Sequence, residues 1–209
     1  MSERDQRATN AAYYRRNRVF ESRRVRIRQV ATRDYLRQLR SVPCKDCGGV
    51  FESHQMDFDH RDPSDKSFRL TAGTAMLASA DRLEAEIRKC DIVCANCHRI
   101  RTHGRGRVEP RPDASPELER KRRYWRSQIR ELERLKERPC ADCGGRFPSC
   151  AMDFDHRNPE EKQYTVSRMV GRAGLPRIVA EVAKCDIVCA NCHRDRTYRR
   201  RETGSSERE

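Results

Sequence analysis

The chain has 209 residues, 35% of them hydrophobic and 37% charged, which is enough for one or two small domains but excludes a large apolar core. Units with cores this thin usually need a staple, and metal is one kind. The formal net charge of +14, carried mostly by arginine, points to a polyanionic partner, most simply nucleic acid, and no run approaches the length of a membrane span. Taken in chain order, residues 1–8 are polar and expected to fray, and a helix is predicted from Thr9 to Arg40 within an N-terminal segment 1–43. Ile27, Ala31, Tyr35 and Leu39 recur every four residues and would share one face. Arginines crowd the remainder, and Arg15, Arg16, Arg23 and Arg24 are expected to meet backbone phosphates. Pro43 stops the run.

Residues 44–103 read as a first module. Cys44 and Cys47 open it, Gly48 and Gly49 make a turn, and Phe51 with Met56 to Asp59 suits a short hairpin. Asp81 followed by Glu84 resembles a capping box leading into a helix that ends near Lys89. Ile92 and Val93 suit a buried strand, and a last helix should begin inside the second cysteine pair and carry His98. Residues 104–115 read as a linker. Ser115, Pro116 and Glu117 then open a second basic helix over 116–139, supported by Leu118, Ile129, Leu132 and Leu135 and stopped by Pro139. A second module follows at 140–198, and residues 199–209 read as a disordered tail.

The modules are two copies of one unit. Met56-Asp-Phe-Asp-His-Arg61 returns at 152–157, and Lys89-Cys-Asp-Ile-Val-Cys-Ala-Asn-Cys-His-Arg99 returns at 184–194. The intervening segments, Ser67 to Arg88 and Gln163 to Ala183, share almost nothing. Eleven cysteines without an apolar leader at the N-terminus favour thiolate–metal sites in a reducing cytoplasm over a disulfide framework. Two Cys-x-x-Cys pairs supply a tetrahedral zinc site. Cys44, Cys47, Cys94 and Cys97 would hold one ion, and Cys140, Cys143, Cys189 and Cys192 the other. With four thiolates neither ion keeps an open position, so both read as structural. Cys90 and Cys185 fall outside this spacing and are expected to be small core residues.

In Asp57-Phe58-Asp59 the acids alternate, so on a strand they face one side. His98 follows the last zinc ligand directly. If zinc fixes that helix, Asp59 and His98 can face one cavity and hold part of a divalent ion such as magnesium or manganese. Histidine exchanges a proton near neutral pH, so His60 can activate water. Asp57 and Asp153 read as plain hairpin acids, and His103 as a solvated residue or a further ligand, with Tyr198 in its place in the second copy.

These elements (Cys-x-x-Cys-Gly, Phe-Asp-His, Cys-Ala-Asn-Cys-His-Arg) resemble the HNH endonucleases of the zinc-knuckle kind over both modules. The resemblance implies an α+β architecture: two tandem small ββα-metal modules, each with a structural four-cysteine zinc site and each preceded by a long basic helix. It implies His60 and His156 as general bases. Asp59 with His98, and Asp155 with His193, would be ligands of a catalytic magnesium or manganese. Where the family carries an Asn that orients the base, this chain has Lys89 and Lys184. Asn96 and Asn191 are expected to cap the knuckle turns, and Lys66, Arg99, Lys162 and Arg194 to touch phosphate. The implied activity is cleavage of double-stranded DNA, leaving 5′-phosphate and 3′-hydroxyl ends, with the chain as a monomeric pseudo-dimer cutting one strand per module. The rivals are a zinc-stabilised DNA-binding protein without nuclease activity and a scaffold whose arginine helices bind an acidic protein.

Overall fold

The computed structural model describes residues 3–106 and 115–206. Residues 107–114 of the expected linker and 207–209 of the expected tail lie outside the described residues. The fold mixes helix with two small two-stranded sheets, and the described residues form two compact units, one drawn from residues 3–42 and 58–92, the other from 43–57, 93–106 and 115–206. Among the described residues no helix is long and apolar enough to cross a membrane.

The first unit is built on α1, Glu3–Leu39, which starts well before Thr9. The predicted stripe is not its buried face: Ile27 is 62% and Tyr35 41% exposed, whereas Leu36 is buried. Helix α1 packs against the short helix α2, Ala72–Ala75, itself centred on buried Ala75. The contact with α2 chooses the buried face, whatever the helix-wide apolar spacing offers. Helix α3, Ala80–Arg88, is capped by Ser79, whose hydroxyl accepts from Arg82 N, so the Asp81–Glu84 box is not used.

Strand β1, Met56–His60, does not form a local hairpin. It pairs with β2, Cys90–Cys94, the Ile92–Val93 run. The residues ahead of β1 are committed elsewhere: Cys44 N donates to Gly49 O at 2.8 Å, and Ser53–Gln55 form a 3-10 turn.

In the second unit α4, Ala95–Gly104, starts directly after Cys94, and α5 spans Pro116–Leu135 behind a Ser115 cap. Strand β3, Met152–His156, pairs antiparallel with β4, Cys185–Cys189, setting Asp155 opposite Asp186 and His156 opposite Cys185. Between them come α6, Val166–Met169, and α7, Leu175–Val182. Leu132, Val166, Met169, Ile178, Val182 and Cys185 form the core beside this sheet. Helix α8 starts at Ala190 and runs to Ser206, so residues 199–206 are helical where disorder was expected. Arg200 ties this stretch back to the sheet, as described below.

Candidate metal centres and active site

Cys44, Cys47, Cys94 and Cys97 bring their sulfurs within 4.8 Å of one another, and so do Cys140, Cys143, Cys189 and Cys192. Zinc–sulfur bonds of about 2.3 Å in a tetrahedron set sulfurs about 3.8 Å apart, so both groups fit a zinc ion. Gly48 and Gly144 take φ of +67° and +68°, the left-handed turn that brings each first pair together. Burial opposes ionisation of Cys44 and Cys140, yet backbone N–H donors hold each near 7. One such donor is the first residue of the second pair: Cys94 N to Cys44 Sγ, and Cys189 N to Cys140 Sγ, both 3.2 Å. Cys90 and Cys185 stand outside the clusters, and burial with a nearby glutamate pushes each thiol up to about 11.

The second repeat brings its three site residues together. A cavity of about 120 Å³ is lined by Asp155, His156, His193, Lys162 and Arg200, among others. His156 ends β3, is buried, and bonds through Nε2 to Glu181 Oε1 at 2.8 Å. A carboxylate only accepts, so Nε2 carries the hydrogen and Nδ1 is left as the basic nitrogen. Burial opposes ionisation of Glu181, but Lys184 Nζ at 2.8 Å, His156 and the amides of Gln163 and Tyr164 bring it down to about 2. The group that orients His156 is therefore a glutamate, with the lysine behind it.

His193 bonds through Nδ1 to Asp153 Oδ2 at 2.7 Å, which turns Nε2 to within 3.6 Å of Asp155 Oδ1. Two ligands of one ion, at about 2.1 Å each, lie about 3.0–3.4 Å apart, so this pair fits a cation after a small closure. A histidine ligand normally donates its other N–H to a carboxylate, and Asp153 has that place. Asp155 is already engaged: Arg200 grips it with both Nη atoms at 2.8 Å, and Arg196 Nη1 adds a bond at 3.0 Å. Burial opposes its ionisation, and the two guanidiniums hold its carboxyl below the usual range. A divalent ion on Asp155 requires Arg200 to release it.

In the first repeat His60 and Asp59 lie buried in the first unit, and His98 lies in the second. His60 Nε2 meets Glu86 Oε1 at 2.8 Å, and Glu86 also takes Lys89 Nζ at 2.9 Å and the amides of Ser67 and Phe68. His98 Nδ1 meets Asp57 Oδ2 at 2.7 Å. Each histidine thus has the orienting partner of its counterpart.

Several expectations need correcting. Asp57 and Asp153 are not idle hairpin acids, since each holds a histidine. Arg99 and Arg194 are engaged inside the protein: Arg99 Nη1 bonds Asp153 Oδ1 at 2.6 Å, and Arg194 Nη2 bonds Asp57 Oδ2 at 2.7 Å. Asn96 and Asn191 cap one another, each backbone N–H donating to the other's Oδ1, at 3.2 and 3.1 Å. The two repeats meet through reciprocal bonds at their histidine-bearing helices. Arg15, Arg16, Arg23, Arg24, Lys66 and Lys162 are exposed, as is His103.

Glu86 and Glu181 escaped the sequence reading. Both stand three residues before the lysine, and they are a rare identity within segments that otherwise differ. Compared with protein families, curated proteins and solved structures, the chain finds no match.

Proposed function

We propose that this protein is a metal-dependent endonuclease of the HNH kind that hydrolyses phosphodiester bonds of double-stranded DNA. The observation that carries the reading is the cavity of the second repeat, where His193 Nε2 comes within 3.6 Å of Asp155 Oδ1 beside a histidine locked by Glu181. His156 would take a proton from water at Nδ1 as the water oxygen bonds to phosphorus. The bond to the 3′ oxygen breaks, and that oxygen leaves as a hydroxyl after taking a proton from solvent. A magnesium or manganese ion held by Asp155 and His193 would neutralise charge on the scissile phosphate and the leaving oxygen. Lys162 and Arg200 line the same cavity and would offset phosphate charge. Releasing Asp155 to the ion frees Arg200 for that task. The first repeat carries the same residue types at matching positions, Asp59, His60 and His98. A groove along α1 lined by Arg15, Arg18 and Arg26 supports a polyanionic partner. Plasmid nicking with magnesium or manganese tests the proposal: His60→Ala with His156→Ala should abolish nicking, and nicking equal to wild type would remove the enzyme claim. Clean double-strand breaks by His156→Ala alone would remove the division of one strand per repeat.

A second reading, a zinc-stabilised DNA-binding protein without nuclease activity, is favoured by the Arg196–Asp155–Arg200 clamp. It predicts a gel shift with DNA and no metal-dependent nicking.

A further inference from the structure

The segment joining β3 to β4 carries a basic groove that the proposed reaction does not use. Arg168, Arg172 and Arg177 line it with Tyr164, over a floor of buried Met169, in a volume of about 370 Å³. All three arginines are exposed, and among the described residues none has an ion-pair partner. Three neighbouring cations without an acid repel one another and attract a polyanion.

The groove is built rather than loose. Arg177 lies over the Tyr164 ring at 5.5 Å, a cation–π contact that holds the guanidinium in place. The loop bearing Arg172 is fastened to α5 by Gln128, which is fully buried, accepts from Gly171 N and donates to Ala173 O, both at 2.8 Å. Gly171 has φ +75°, and a Cβ there would run into the Trp125 indole. This anchoring reduces the ordering that a ligand must otherwise impose. The first repeat matches the groove only in part: at the spacing that relates Glu86 to Glu181, Arg177 has a counterpart in Arg82, whereas Gly73 and Leu77 stand in place of Arg168 and Arg172.

We infer that this groove binds the phosphodiester backbone of DNA beside the second repeat, a contact that the first repeat, with Gly73 and Leu77 in place of two of the arginines, does not offer. The inference rests on the nucleic-acid reading but not on cleavage. Guanidiniums suit phosphate because their paired N–H groups match its oxygens. An acidic protein is the competing partner, and the test separates the two.

The test measures fluorescence anisotropy of a labelled DNA duplex with the full zinc-loaded chain, without added magnesium or manganese, across a salt series. Replacing Arg168, Arg172 and Arg177 together by Ala should weaken binding at least about ten-fold at physiological salt, and should flatten the log–log salt slope by about two to three. The triple Lys variant should keep the slope, since it keeps the charge. Polyglutamate at equal charge should displace DNA poorly from the wild type. An unchanged slope in the Ala variant, or a flattened one in the Lys variant, would overturn the groove while leaving DNA binding intact. Efficient displacement by polyglutamate would assign the groove to an acidic protein. A wild type that binds no duplex would overturn this inference and the nuclease proposal together, whereas DNA binding without nicking would remove the nuclease alone.

Discussion

Glu181→Gln is the most informative single change. Glu181 is 3% exposed and spends its two oxygens differently: Oε1 accepts from His156 Nε2 and the amides of Gln163 and Tyr164, while Oε2 pairs with Lys184 Nζ. Glutamine keeps the first set through its carbonyl but turns an NH₂ donor toward the ammonium. One charge-assisted bond is lost and a buried donor faces another donor, a cost of about 2–3 kcal/mol. For a chain of this size that lowers Tm by about 4–12 °C. Glu181→Ala removes every side-chain bond, strands the buried His156 Nε2 and leaves Lys184 only the Glu161 carbonyl, costing about 3–5 kcal/mol. Thermal unfolding of the zinc-loaded protein reads stability, and plasmid nicking in a His60→Ala background reads the second repeat alone. Well below both transitions, Glu181→Gln should nick within about ten-fold of its parent, because the histidine is still held, and Glu181→Ala about 100-fold more slowly. A merely structural role would not separate the two variants once both are folded. The carboxyl is held at about 2 against an ordinary 4.5, so its contribution is full above pH 4.5 and is lost as pH falls toward 2. The Tm deficit of Glu181→Gln should therefore be greatest near neutral pH and shrink in acid. Equal Tm at neutral pH, or wild-type nicking by Glu181→Ala, would refute the reasoning.

The other predictions concern metal, the joint between repeats and the groove loop. Denatured protein should release two zinc ions per chain by metal analysis, and chelation should unfold the second unit, since such sites contribute on the order of 10 kcal/mol. Finding no zinc would remove the staples from the account. Arg194→Met should slow nicking about ten-fold in a His156→Ala chain, where only the first repeat can act, through its hold on Asp57 and so on His98. In a His60→Ala chain the same change should act within about two-fold, and equal effects in both backgrounds would deny a directed link. Gly171→Ala should cost about 2–5 kcal/mol in thermal unfolding, from left-handed strain and overpacking against Trp125. Full stability would mean the loop relaxes freely.

What the sequence revealed followed from spacing. The eight clustered cysteines were legible because Cys-x-x-Cys places two sulfurs on one turn, and the histidines because Asp-His and Cys-His stand at a strand end and a helix start in both copies. The strand pairing was not, since β1 finds its partner in β2 across the whole intervening segment. The α1 stripe misled because a helix that is mostly solvated has no core to impose its apolar spacing. The orienting glutamates were hidden by position: the resemblance to HNH endonucleases directs attention to Lys89 and Lys184, and the carboxylate reaches the histidine from one helical turn earlier.

The joint between the repeats explains why some residues stayed identical while neighbouring segments diverged. Asp57 and Asp153 each serve two masters, a histidine in their own repeat and an arginine in the other. These bridges span 137 and 54 residues of chain, beyond any local pattern, yet they leave a trace as paired identities. A change at Arg99 would strand an aspartate beside His193, and a change at Arg194 would strand one beside His98. Loss in either copy thus disturbs the site of the other, so neither repeat can decay alone even if only one performs chemistry. Identity between copies at Asp57, Asn96 and Arg99 therefore reports the joint, whereas identity at His60 and Glu86 reports a buried histidine and its holder, the pair to which the proposal gives the part of the base. The two constraints meet at His98 and His193, which the aspartates of the joint hold and which the proposed reaction would use as ligands.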